Sequence, residues 1–120
     1  MFCNFLKKGL DRKQMAYEES KDSGKLVKII GEYMQDETSM NLVLFTDAVL
    51  HCCRVSRSFI FEKGHIVLVG LSGSGKKSVI TLGSVLSQAT LMMIELRKNY
   101  GKTEFREDLF NIMKKAAFEN

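Results

Sequence analysis

Gly70, Gly73 and Gly75 punctuate the stretch Gly70-Leu71-Ser72-Gly73-Ser74-Gly75-Lys76-Lys77-Ser78, and a lysine follows the third glycine directly. Residues of these types at this spacing are suited to holding phosphate. Glycines let the backbone curl until successive N–H groups point inward, and a helix beginning there adds its partial positive charge. Lys76 would place a full cation beside the β- and γ-phosphates of a nucleotide. The stretch fits the pattern G-x-x-x-x-G-K-[ST] at every fixed position except the last, where Lys77 stands instead of Ser or Thr. The hydroxyl at that place normally ligates Mg2+. Ser78 comes one residue later, about 100° further round a helix, so it is the candidate metal ligand in a displaced position, with Lys77 as a second cation nearby.

A phosphate loop needs a strand before it and a helix after it. His65-Ile66-Val67-Leu68-Val69 is an apolar, β-branched run ending on Gly70, which reads as a buried strand. From Lys76 to Gln88, Val79, Leu82, Val85 and Leu86 share one helical face. Strand, glycine loop and helix thus follow in the required order. An ordinary glycine turn with an exposed lysine is the competing reading, and it leaves that order unexplained.

Further helices are predicted on both sides. Leu26, Ile29, Ile30 and Tyr33 recur at i, i+3, i+4 and i+7, with Asp22 or Ser23 as cap and the polar run from Gln35 to Ser39 as terminator. Leu42 to Arg57 reads as a second helix with Phe45, Val49, Cys52 or Cys53, and Ser56 on one face, and Arg54 and Arg57 near the end where the dipole favours cations. Thr90 to Leu96 reads as a second strand, punctuated by Asn99-Tyr100-Gly101. A last helix is expected from Thr103 as N-cap, with Glu104, Glu107 and Asp108 early. Its stripe of Phe105, Leu109, Ile112, Met113 and Ala116 suits core packing. Phe2 to Leu10 is a short apolar and basic segment, and the polar stretch from there to Ser23 reads as loop.

At 120 residues, 45% of them apolar, the chain is the size of one domain or less and has the composition of a folded protein. No apolar run is long enough to span a bilayer, and the start lacks a signal core, so a cytoplasmic protein without membrane contact is expected. Cys3, Cys52 and Cys53 form no even framework and are expected as reduced thiols. His51-Cys52-Cys53 is a poor metal site, because consecutive helical residues point in different directions. The net charge of +4 is scattered, and its densest cluster is Lys7, Lys8, Arg12 and Lys13. A solvated face accounts for it; no aromatic and basic interleaving argues for nucleic acid.

Several segments together resemble the dynein heavy chains, specifically the fourth of their six AAA+ ring modules. The segments are Asp11-Arg12 with Tyr17-Glu18-Glu19, Met40 to Phe45 with Asp47-Ala48, His51, Cys53 to Arg57, Gly70 to Ser78, Ile94 to Leu96 with Asn99-Tyr100, and Phe105 to Leu109. An axonemal heavy chain is the nearest likeness. In that module the residue after the loop lysine is commonly not Ser or Thr and a serine follows, as in Lys76-Lys77-Ser78. The resemblance implies an α/β fold, the large subdomain of a P-loop NTPase of the AAA+ class, truncated after the second strand and its following helix. Residues 1–39 would be a helical lead-in and 40–120 a partial AAA+ domain with the Walker A loop and without the Walker B strand and sensors.

The resemblance further implies ATP or ADP as ligand at Gly70, Leu71, Ser72, Gly73, Ser74, Gly75, Lys76, Lys77 and Ser78. Neighbouring AAA+ modules would be partners in the intact heavy chain, with microtubules reached only through parts absent here. The parent would work in the cytoskeleton of the ciliary axoneme, where this module modulates a motor. No catalytic residue is expected in this stretch, which supplies the phosphate cradle alone. In AAA+ sheets the first and second strands are not neighbours, so both would have exposed edges or pair with each other, and the isolated chain is expected to be marginally stable. Two other readings fit the loop: a small self-contained P-loop kinase with Glu95 as its acidic candidate, and a truncated partner-binding product without enzymatic activity.

Overall fold

Helical periodicity marks four stretches of the sequence, and each is helical in the computed structural model, which describes residues 1–7, 9–11, 14–37 and 42–118. In chain order the elements are β1 (Phe2–Cys3), β2 (Glu18–Glu19), α1 (Ser23–Glu37), α2 (Thr46–Ile60), α3 (Lys76–Leu86) and α4 (Lys102–Phe118). Contacts divide the chain into two compact units, Met1–Thr90 and Leu91–Asn120. Lys8, Arg12 and Lys13 of the basic cluster, Thr38 and Ser39 of the polar run after the first helix, and Met40 and Asn41 of the segment beginning at Met40 lie outside the described residues. So does the expected boundary between 39 and 40.

In the first unit, Asp22 caps α1 as its sequence suggests. Its Oδ1 accepts from Gly24 N–H at 2.8 Å and its carbonyl from Leu26 N–H at 3.4 Å. Leu26, Ile30, Tyr33 and Met34 are buried. The helix runs on to Glu37, past the expected stop at Gln35, since Gln and Glu lose little side-chain freedom in a helix. By contrast, α2 is displaced from its expected span of 42–57. Phe45 is extended (φ −111°, ψ 165°) and sits at the N-cap, where its carbonyl accepts from Val49 N–H at 3.0 Å. It is 60% exposed rather than part of the buried face. Ala48, Val49, Cys52, Cys53, Val55 and Ser56 form that face.

Helix α3 buries Leu82 and Leu86 completely and approaches α2 at Gly83. A Cβ at Gly83 would lie 2.5 Å from Val55 Cγ1, whereas one at Gly31 in α1 would meet nothing within 4 Å. The same substitution therefore has opposite expected signs. Gly31→Ala gains helix propensity and is expected to stabilise by about 0.5–1 kcal/mol. At Gly83 overpacking of about 1–3 kcal/mol outweighs that gain, so Gly83→Ala is expected to destabilise. Urea unfolding of the two variants measures the difference.

The N-terminal segment contributes more than a short apolar and basic run suggests. Phe5 is fully buried in the common core with Leu26, Ile30, Val49, Leu82 and Leu86. It is held by the antiparallel pairing of β1 with β2, in register Phe2↔Glu19 and Cys3↔Glu18, and β2 lies in the polar stretch expected to be loop. Lys7 and Glu18 form an exposed ion pair at 2.9 Å, worth under about 1 kcal/mol in that setting.

Neither expected strand, 65–69 or 90–96, is hydrogen-bonded into a sheet; β1 and β2 make the two-stranded sheet found among the described residues. A strand is stabilised by a neighbour's ladder, and its own residues do not supply one. Residues 65–69 still alternate as a strand does: Ile66 and Leu68 are half-buried, while Val67 and Val69 are 86% and 92% exposed.

In the second unit, α4 begins after Gly101 and not after Thr103. Glu104 Oε2 accepts from Gly101 N–H at 2.8 Å, and Gly101 O accepts from Phe105 N–H at 3.1 Å, which is the glutamate half of a capping box, with glycine at the cap. Hydrogen bonds from its own backbone N–H and from that of Gly101 hold the Glu104 carboxyl below its usual value. Its contribution to the helix is therefore present above the unfolded carboxylate range and is lost as pH falls through the lowered folded value. Tyr100 OH donates to Asp108 Oδ2 at 2.8 Å, and desolvation together with that carboxylate pushes the phenol up to about 12. The stripe expected to be core is not buried: no residue of α4 is.

All three cysteines are free thiols buried in the first unit. Burial pushes Cys52 up to about 12. A hydrogen bond between Cys3 and Cys53 lowers Cys53 and raises Cys3. Because the thiolate is the reacting species, iodoacetamide is expected to label Cys53 first in the native chain. Mass mapping of a time course checks the order, and early labelling of Cys52 would contradict it.

Candidate functional site at the glycine loop

The chain enters the site along the extended residues 65–69 and turns at Gly70, where a Cβ would lie 2.9 Å from Ser74 Oγ. Ser74 N–H closes the turn onto Leu71 O at 3.3 Å. Gly73 and Gly75 both adopt φ of +78°, a left-handed conformation that costs other residues about 1–2 kcal/mol. The glycine spacing in the sequence is thus matched to the backbone that it must adopt.

Gly75 is also the N-cap of α3, and no side chain caps that helix. The first N–H to find a helical acceptor is that of Val79, bonded to Gly75 O at 2.9 Å. The amides of Lys76, Lys77 and Ser78 before it are the orphan donors of the helix start. They coincide with the positive end of the helix dipole. An anion at this end would meet several N–H groups together.

Lys76 folds back over the loop. Its Nζ donates to Gly70 O at 2.9 Å, to Leu71 O at 2.5 Å and to Ser74 Oγ at 3.2 Å. An ammonium has three N–H donors, so the loop itself engages all of them. Contact with an incoming phosphate therefore exchanges one of these bonds for a charge-assisted one, which is the stronger kind.

A cavity of about 270 Å³ opens beside the loop, lined by His51, Leu68, Val69, Gly70, Ser74, Lys76 and Val79. Of the residues singled out from sequence, Gly70, Ser74 and Lys76 line it. Leu71, Ser72, Gly73 and Lys77 are solvent-exposed, and Ser78 is half-buried in the first turn of α3. His51, read from sequence as one of three unsuited metal ligands, is brought by α2 to the cavity wall. Its place depends on how α2 packs against α3, which local periodicity does not carry. Glu95 is exposed in the second unit.

The far end of α3 is fixed by a Schellman motif. Gln88 N–H bonds Val85 O at 3.0 Å and Ala89 N–H bonds Ser84 O at 2.8 Å, with Gln88 at φ 53° in the position that glycine usually fills. Gln88 Nε2 also donates to Leu10 O at 2.9 Å. The N-terminal segment thereby anchors the helix that begins at the loop.

As a holder of Mg2+ the site is poor. That ion takes oxygen ligands in near-octahedral geometry. Ser78 offers one displaced hydroxyl, the cavity lining carries no carboxylate, and Lys76 and Lys77 add positive charge. Among the described residues no cluster of His, Cys, Asp or Glu is suited to a metal.

Known proteins resemble this chain along most or all of its length. A family profile described as "P-loop containing dynein motor region D4" matches residues 40–120. The chain is 38% identical along its whole length to mouse dynein axonemal heavy chain 1. It is 35% identical over 99% of its length to the dynein-1-beta heavy chain of the flagellar inner arm I1 complex from Chlamydomonas reinhardtii. Human dynein axonemal heavy chain 10 is 41% identical over 78% of the chain. The chain spans about 3% of the length of the first two and 2% of the third. It belongs to the dynein heavy chains, with residues 40–120 corresponding to their D4 motor region.

Proposed function

We propose that Gly70 to Ser78 forms a P-loop that binds the phosphates of ATP or ADP, as part of a regulatory AAA+ module of a microtubule-based axonemal motor. The observation that carries the reading is the uncapped start of α3 directly after two left-handed glycines, with Lys76 poised over the same loop. Backbone donors, helix dipole and cation converge on one point, the arrangement by which such loops hold phosphate. The adjacent cavity, with Leu68, Val69 and Val79 on its wall, gives the rest of the nucleotide an apolar surface. The residues described here supply binding contacts. Neighbouring modules of the heavy chain are proposed as the partners through which occupancy is transmitted to the motor.

Ser78 is the proposed contact to any Mg2+ that arrives with the nucleotide. Because the protein offers that ion so little, affinity for a fluorescent ATP analogue is expected to change by less than about tenfold, or 1.4 kcal/mol, when Mg2+ is removed with EDTA. Loss of all binding with the metal would contradict this reading of Ser78 and Lys77. Saturable binding under both conditions supports it.

A further inference from the structure

A second cavity, of about 170 Å³, lies away from the glycine loop and is lined by Met1, Phe2, Tyr17, Leu50, Cys53, Arg54 and Arg57. Arg54 and Arg57 are three residues apart on α2 and so share one face. Both are exposed, and neither has a carboxylate partner among the described residues. Like charges at this spacing repel each other. The guanidinium of Arg57 lies 5.5 Å from the centre of the Tyr17 ring. Tyr17 is stacked with Phe2 at 6.0 Å and an interplanar angle of 15°. The result is a small pocket lined by two aromatic rings and by two arginines without a carboxylate partner among the described residues, together with Met1, whose terminal ammonium donates to Ser20 O at 2.8 Å.

We infer that this pocket is a binding site for an aryl phosphate, with the phosphate held by Arg54 and Arg57 and the ring placed against Phe2 and Tyr17. The charge favours phosphate over carboxylate. One carboxylate is satisfied by a single bidentate guanidinium, whereas a phosphate monoester carries about −1.5 to −2 charges and three acceptor oxygens, enough for two. The size favours a small ligand. At about 30 Å³ per water molecule the space equals five or six waters, which suits a phosphate group and part of a ring. Rigid aromatic walls add contact area at low entropic cost.

The site is tested by amide NMR titration of the 120-residue chain with phenyl phosphate and with inorganic phosphate, in the Lys76→Ala background so that the glycine loop does not compete. Phenyl phosphate is expected to shift the amides around Tyr17, Arg54 and Arg57 and to saturate at a concentration at least about tenfold below that of inorganic phosphate, reflecting the aromatic contact. The double variant Arg54→Gln/Arg57→Gln alters only exposed side chains, and circular dichroism verifies that its helices persist. It is expected to weaken binding by about tenfold or more, the effect of losing charge-assisted hydrogen bonds. A phosphotyrosine flanked by glycines separates the two sources: binding equal to phenyl phosphate assigns the pocket to a phosphorylated residue, and exclusion assigns it to a free small phosphate. Shifts confined to residues 70–78, or equal binding by the double variant, would overturn the inference.

Discussion

Leu82→Ala is expected to destabilise the first unit by about 2–5 kcal/mol, a large share of the roughly 5–15 kcal/mol that holds a small domain folded. Leu82 is completely buried where α1, α2 and α3 meet. Removing its three outer carbons leaves a void that helices pinned by Phe5, Ile30 and Leu86 fill only in part. The corresponding change in the second unit, Leu109→Ala, is expected to alter stability by less than about 0.5 kcal/mol, as at an ordinary surface position. Leu109 is 41% exposed on a helix that buries nothing. Thermal unfolding followed by circular dichroism separates the cases, and equal effects would contradict the contrast between a fully buried position and an exposed helix surface. The same experiment addresses the proposed marginal stability. The exposed edge at 65–69 and the open face of α4 leave much apolar surface in water.

Lys76→Ala is expected to weaken nucleotide binding by roughly 10- to 150-fold, since a hydrogen bond to a charged group contributes about 1.5–3 kcal/mol and each 1.4 kcal/mol is tenfold. The substitution also removes the three bonds by which the ammonium closes the empty loop on Gly70, Leu71 and Ser74. These act in opposite senses on affinity. Losing the closure lowers what binding must displace, while losing the cation removes what binding gains. The cation dominates, because the carbonyl contacts are exposed and compete with water. Lys77→Ala provides the contrast. Lys77 is exposed and makes no contact with the cavity, so its removal is expected to change affinity only by the screened interaction of a surface charge, under about 1 kcal/mol. Titration of both variants with a fluorescent ATP analogue ranks them.

The glycine loop was legible because its constraint is local. Only glycine adopts the left-handed angles of Gly73 and Gly75 freely, so spacing in the sequence is spacing in the backbone. The faces of α1 and α3 were legible for a related reason: Leu26, Ile30, Leu82 and Leu86 repeat at the helical period, and that period places them on one side. What escaped depends on partners. Phe5 sits in a short segment with no period of its own, and its burial follows from the pairing of β1 with β2. His51 reaches the cavity through helix packing. The apolar run at 65–69 is strand-like in composition and in its alternating exposure, yet a ladder needs a second chain segment beside it. The stripe on α4 has the pattern of a buried face, and pattern alone does not supply the surface against which it would be buried. Gly101 as cap was hidden behind Thr103, a stronger capping residue by type. The side chain of Glu104 made the earlier position the better one.

The most direct test is amide NMR of the 120-residue chain titrated with ADP. If Gly70 to Ser78 binds nucleotide phosphates through its backbone, the amides of Gly73, Gly75, Lys76, Lys77 and Ser78 shift saturably, and the same titration of Lys76→Ala requires far more ligand. Unmoved amides along the loop, or shifts that are identical in the variant, would contradict it.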